Sequence, residues 1–175
     1  KLSNKSIGSL KLNDDVFFDK TNKLVVSVDT YVEGNHFINF KKPDLVIKKI
    51  IRSVKDAVGP NVELMIEGHK RFNTVEAIKI SNWLKEYDVT WFEDPIDNDD
   101  IDSLIHVSNN SPVRIIAGEG FNDHKDFTRF VSSNATDIVN PEVMRIGGIS
   151  GAVKVSGICS SFDVACNTRF MSSAS

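Results

Sequence analysis

Apolar and polar positions alternate in blocks along most of the chain, and the period of each block predicts an element. Residues 24–28 form a short β-branched apolar run that predicts a strand. Over residues 44–58, Ile47, Ile50, Ile51, Val54, Ala57 and Val58 recur at helical spacing, opened by Pro43-Asp44 and closed by Gly59-Pro60. Further strands are predicted at 62–66, 89–92, 113–117, 136–139 and 162–166, and helices at 73–86, 99–107, 123–131 and 149–161. Asn73 followed three residues later by Glu76 predicts a capping box, with Asn in place of the usual Ser or Thr.

Six strands alternating with five helices imply βαβ units and a parallel sheet, the α/β class. Residues 1–23 are polar, weakly patterned and unassigned. No Gly/Ser-rich linker divides the rest, so 24–175 reads as one domain. The 175 residues are 41% apolar, enough for a core, and carry a net charge of −3, which argues against nucleic acid as a partner. No apolar run reaches the ~20 residues that cross a bilayer, and no signal peptide is visible, so no membrane partner is expected. Cys159 and Cys166 form no CxxC pair, which fits a reducing, cytoplasmic setting. Position 1 is Lys, so a trimmed or partial chain is expected.

The candidate chemistry lies at the strand ends. Glu67 follows the 62–66 run, Glu93 follows 89–92, and Gly118-Glu119 follow 113–117; both steps, 67 to 93 and 93 to 119, are 26 residues. One βα unit per step puts three carboxylates at equivalent C-terminal strand ends. In a parallel barrel those ends form the face that carries the active site. A lone Glu at a strand end is ordinarily solvated or capping, but three in equal register would repel strongly. A hard divalent cation such as Mg²⁺ resolves that repulsion. Glu142, after the 136–139 run, and Asn167, after 162–166, extend the series. His69 lies two residues beyond Glu67, so on a continuing strand it shares the Glu67 face, as a candidate general acid or base. Arg71 could grip an anionic substrate or serve as a salt-bridge partner. His36, in the loop after the first predicted strand, is a candidate substrate contact. His106, inside a helix, and His124, at a helix start, read as structural and exposed respectively. Gly147-Gly148-Ile149-Ser150-Gly151 lacks the order of a phosphate loop and reads as a helix opening.

Four pieces carry a family resemblance: Leu64-Met65-Ile66-Glu67-Gly68-His69-Lys70-Arg71-Phe72, Trp91-Phe92-Glu93-Asp94-Pro95, Ala117-Gly118-Glu119, and Asn140-Pro141-Glu142-Val143-Met144-Arg145-Ile146-Gly147-Gly148. Over roughly residues 24–170 the chain resembles the enolase superfamily, in its mandelate racemase/muconate lactonizing branch, and within it the galactonate/gluconate-type acid-sugar dehydratases. The resemblance implies a TIM-type (β/α)7β barrel, of which about six strands are present, and an N-terminal α+β capping domain expected to be absent or truncated here. It implies Mg²⁺ held by Glu67, Glu93 and Glu119. It further implies abstraction of the proton α to a carboxylate, giving a metal-stabilised enediolate. His69 stands where those dehydratases keep the acid that expels the 3-hydroxyl. A small sugar-acid substrate and a homo-oligomer are the implied partners.

The chain departs from the family in four places. The first ligand is Glu67 where Asp is commoner. Ser27 falls where a lysine is often found. Glu142 replaces the usual Asp after the sixth strand, and Asn167 stands where the seventh strand would end in the His that this acid orients. The chain also reads as about two residues short near 164–167. The leading expectation is a Mg²⁺-dependent lyase that dehydrates a sugar acid to a 2-keto-3-deoxy acid. A racemase or cycloisomerase of the same superfamily, and a truncated non-catalytic barrel that retains metal binding, are the alternatives.

Overall fold

The computed structural model describes residues 16–18, 24–27, 48, 51–56 and 59–169. In chain order the elements are β1 (Val16–Phe18), β2 (Leu24–Ser27), a helical stretch α1 within 51–56, β3 (Leu64–Glu67), α2 (Thr74–Glu86), β4 (Val89–Glu93), α3 (Ile101–Asn110), β5 (Arg114–Ala117), α4 (His124–Ser132), β6 (Ile138–Val139), α5 (Gly148–Ser161) and β7 (Ala165–Cys166). The sheet runs β1 through β7 in sequence order, with every pair from β2 to β7 parallel. A doubly wound sheet reverses strand order at a switch point, whereas an unbroken order with a helix at each crossover is the topology of a barrel wall. The expected α/β barrel strands are therefore present. β1, which pairs antiparallel with β2, falls in the unassigned first 23 residues and has no counterpart in the sequence reading.

The helices form where their first turns are capped. Asn73 accepts from the Glu76 N–H at 2.9 Å, and the Glu76 carboxylate accepts from the Asn73 N–H at 3.1 Å, so the predicted capping box is present with Asn as its cap. Asp100 and Asp123 cap α3 and α4 without the return bond, accepting from the Ser103 N–H at 3.1 Å and the Lys125 N–H at 2.9 Å. α5 has no side-chain cap; Gly147 stands before it at φ +90, which favours glycine there.

The core lies between sheet and helices. Leu64, Phe92, Ile115 and Val139 from the strands meet Leu84, Leu104, Val107, Phe127, Phe130 and Val155 from the helices, all fully buried. Phe121 meets Phe127 and Phe130 edge-on at 5.3 and 5.0 Å, a cluster lying under the turn that carries Glu119. No helix among the described residues is long and apolar enough to cross a membrane.

Candidate metal centre

Backbone pairing places the first two candidate ligands side by side. Glu67 and Glu93 end β3 and β4 as register partners. The pairing runs beyond both strands. The Gly68 N–H donates to the Glu93 carbonyl at 2.7 Å, Lys70 to the Asp94 carbonyl at 2.7 Å, and Phe72 to the Pro95 carbonyl at 3.2 Å. Gly68 is required by this approach, since a Cβ there would lie 2.8 Å from Pro95 Cα and 2.9 Å from both the Asp94 oxygen and the Phe92 ring. Glu119 arrives from β5 through Gly118, whose φ of +114 turns the chain above the Phe127 and Phe130 rings.

The three carboxylates converge on one atom, Arg169 Nη1. It lies 3.1 Å from Glu93 Oε1, 3.0 Å from Glu119 Oε2 and 3.9 Å from Glu67 Oε2. Arg169 reaches this point because residues 167–169 run on past β7 alongside 139–143. The Asn167 N–H donates to the Val139 carbonyl at 2.8 Å and the Arg169 N–H to the Pro141 carbonyl at 3.0 Å. The Val143 N–H donates to the Arg169 carbonyl at 3.0 Å. Asn140 Nδ2 donates a short hydrogen bond to Glu93 Oε1.

Crowding of acids sets the electrostatics. Burial is the first cause lifting the Glu67 carboxyl to about 8. Glu93 adds repulsion, and the His69 N–H, donating to Glu67 Oε1 at 2.7 Å, opposes it. Glu93 is likewise raised by burial, while Arg169 pulls the other way. Asp94, wholly buried at φ +39, is pushed to about 7, again by burial first. Its Oδ1 accepts from Asn98 Nδ2 at 2.9 Å. Burial alone would lower Arg169, but Glu93, Glu119, Glu67 and Glu142 together raise it above the ordinary arginine value.

Of the sequence-predicted residues, Glu67, Glu93 and Glu119 are brought together. Glu142 is buried, accepts from the Met144 N–H at 3.1 Å, and forms a parallel bridge with Arg169. The register thus sets Arg169 opposite Glu142, whereas Asn167 is exposed and two residues short of it. The structure corrects the expectation that β3 continues through His69. The strand stops at Glu67, and His69 and Lys70 turn at φ +51 and +59, with His69 and Arg71 exposed beside the site. His36 lies outside the described residues.

Sequence reasoning missed Arg169, Asn140, Asp94 and Lys70. Lys70 Nζ lies directly over Gly120, the neighbour of Glu119, and its charge acts on Asp94. The signal for Arg169 was the same two-residue step that singled out His69 after Glu67, applied after Asn167. Asn140 follows β6 directly, at the strand end that the sequence predicts, but an amide among candidate carboxylates was passed over in favour of Glu142.

The donor set, three carboxylates with only oxygen atoms to offer, fits a hard divalent cation such as Mg²⁺. The spacing fits the guanidinium. Ligand oxygens sit ~2.0–2.1 Å from Mg²⁺, whereas these stand 3.0–3.9 Å from the nitrogen at their focus. Among the described residues no group of three His, Cys, Asp or Glu side chains is already spaced for a metal ion.

A family profile described as enolase C-terminal domain-like matches residues 27–175. The D-gluconate dehydratase of Thermoproteus tenax is 29% identical over 117 residues, covering 67% of this chain and 24% of that protein. The D-gluconate/D-galactonate dehydratase of Picrophilus torridus is 34% identical over 115 residues, covering 65% and 29%. Other relatives, 27% and 26% identical, are a D-galactarolactone cycloisomerase of Agrobacterium fabrum and a hydrophobic dipeptide epimerase of Enterococcus faecalis. The alignments with these relatives span only 24% to 33% of their length. Among solved structures, an enolase from Bradyrhizobium complexed with magnesium and mandelic acid superposes with a TM-score of 0.69 at 25% identity, covering 71% of this chain and 35% of that one. Sheet order, strand-end carboxylates and profile agree: the chain belongs to the enolase C-terminal domain-like family of the enolase superfamily.

Proposed function

We infer that this domain forms the metal-binding wall of a site that dehydrates a sugar acid to a 2-keto-3-deoxy acid. The observation that carries the reading is the convergence of Glu67, Glu93 and Glu119 within 3.9 Å of one point at the C-terminal edge of the sheet. These three would hold Mg²⁺ once Arg169 has left their focus. The bound ion would supply positive charge against the negative charge that grows on the substrate carboxylate as the α-proton passes to an acceptor that β7 does not supply, the external imidazole of the test below. His69, exposed on the turn next to Glu67, would give its proton to the departing 3-hydroxyl, which leaves as water. The Glu67–His69 backbone bond fixes the base of that turn. Arg71, exposed two residues further on, is placed to bind an acidic group of the substrate.

A second reading has its own observation. At the end of β7 stand Asn167 and Arg169, neither of which can accept a proton at neutral pH. On this reading the wall would keep a cation site without the base that the family resemblance implies there, as a non-catalytic domain would.

A panel of aldonic and aldaric acids with Mg²⁺ separates the two, with imidazole added as an external proton acceptor and 2-keto acid as the readout. The dehydratase reading expects imidazole-dependent 2-keto acid from at least one sugar acid, lost in His69→Asn and Glu93→Gln. Deuterium entering the α-position from solvent without loss of water would replace dehydration by racemisation. No reaction with any acid would leave the non-catalytic reading.

A further inference from the structure

The repulsion among Glu67, Glu93 and Glu119 is already answered by a cation, and it belongs to the chain. The grip of Arg169 on them has a particular form. All three contacts run through Nη1, end-on, rather than through the paired nitrogens that make the strongest arginine–carboxylate bonds. The nitrogen at the centre carries two hydrogens for three acceptor groups, and Glu67, at 3.9 Å, lies beyond hydrogen-bond reach. The backbone of Arg169 is pinned to 141 and 143, but its side chain is 39% exposed, so the guanidinium has a way out to solvent that leaves the pairing intact.

A divalent cation at this focus would share the space with that nitrogen. Its ligands must close to ~2.0–2.1 Å, and two positive groups a few ångströms apart in a half-buried site repel strongly. One occupant excludes the other.

We propose that Arg169 is an internal competitor for the divalent cation: its guanidinium holds the carboxylate focus in the metal-free chain and must swing out for Mg²⁺ to enter. The proposal rests on the reading of Glu67, Glu93 and Glu119 as metal ligands. It adds that this chain carries its own antagonist of that site. Metal affinity is then set by the difference between the bonds of Mg²⁺ and those of Arg169 to the same oxygens.

The test is calorimetric titration of MgCl2 into the full chain, into Arg169→Gln and into Arg169→Lys, with Glu119→Gln as a control for the site and circular dichroism to check folding. Competition predicts that Arg169→Gln binds Mg²⁺ at least tenfold more tightly than the unaltered chain. Arg169→Lys, which keeps a cation on a flexible stem, should fall between the two. Equal affinities for the unaltered chain and Arg169→Gln, with binding lost in Glu119→Gln, would overturn the competition and leave the metal site standing. Absence of Mg²⁺ binding in every form would overturn both. If Arg169→Gln does not fold, the unaltered chain with ¹⁵N-labelled arginine gives the answer. The Arg169 side-chain resonance should move toward that of free arginine as MgCl2 is added. A resonance that stays fixed while Mg²⁺ binds would sink the proposal.

Discussion

Metal-free stability should fall as pH rises through neutrality, and Glu67 should be the chief cause. Its carboxyl titrates near 4.5 in an ordinary setting and at about 8 in the fold, because burial and the Glu93 charge disfavour ionisation. Between those values the folded state holds a proton that the unfolded chain has released. The contribution is therefore present in full below about 4.5 and is lost progressively up to about 8. At about 1.4 kcal/mol per pH unit the whole window corresponds to at most ~5 kcal/mol. The Glu67 side chain is only 17% exposed, so solvent screening removes little of this. Coupling to Glu93 and Arg169 spreads the proton over the cluster, and roughly 2–4 kcal/mol is the expected loss between pH 5 and pH 8.5. Glu67→Gln removes the titrating group while keeping the shape, so its stability should vary less over that range. Urea denaturation at half-unit pH steps in EDTA measures both proteins, and the difference of slopes isolates Glu67. Parallel curves for the two proteins would refute the reasoning, as would a stability that rises over this range. In a separate titration of the folded chain without EDTA, Mg²⁺ binding at pH 7 should release protons, since the ligand form of Glu67 is the carboxylate.

Gly68→Ala should cost about 1–3 kcal/mol by overpacking against Pro95, Asp94 and Phe92, seen as a lower urea midpoint, and should weaken Mg²⁺ binding by moving Glu67 relative to Glu93. Asn73→Ala should lose about 1 kcal/mol from the α2 capping box with Mg²⁺ affinity unchanged; a change in affinity would show that α2 and the Glu67 turn are coupled. His69→Asn should leave Mg²⁺ affinity within a factor of two, because His69 touches Glu67 through its backbone N–H, which every residue but proline supplies. Arg169→His should place an imidazole across the bridge from Glu142, and the expected result is sugar-acid dehydration without added imidazole. A folded, Mg²⁺-binding Arg169→His with no 2-keto acid formation would remove position 169 as the place of the base.

Much of the wall was legible in the sequence because each of its elements has a local cause. Apolar runs bounded by Gly, Pro and Asn mark the strands, and α2 begins where Asn73 and Glu76 close their box. The 26-residue step locates Glu67, Glu93 and Glu119 because one βα unit separates each pair of strand ends. What was not legible lies past the strand ends. β6 ends at Val139 as predicted, but nothing in the local pattern says that the amide of Asn140, next in the chain, reaches across to Glu93. β3 stops at Glu67, and after Gly68 the chain takes two left-handed residues, His69 and Lys70. The alternation of faces that would carry His69 ends two residues before it. β1, three residues long, has too few positions to show a period.

Arg169 was missed for a further reason. Spacing alone says that three acids must be balanced, and an external cation is the nearest answer. It cannot say that the fold brings a cation of its own from the far end of the same wall. The parallel pairing of 167–169 with 139–143 is non-local, and no short-range pattern encodes it. Once made, it changes the meaning of the acidic cluster. With the Glu67 carboxyl titrating only near 8 and Arg169 at the focus, the metal-free site at neutral pH is balanced by a proton and a guanidinium. On the proposed reading of Glu67, Glu93 and Glu119 as metal ligands, Mg²⁺ would have to displace both cations to enter. On that reading the site would respond to pH and to Mg²⁺ concentration together, since every step that removes the proton or frees the guanidinium would favour the same metal-bound arrangement.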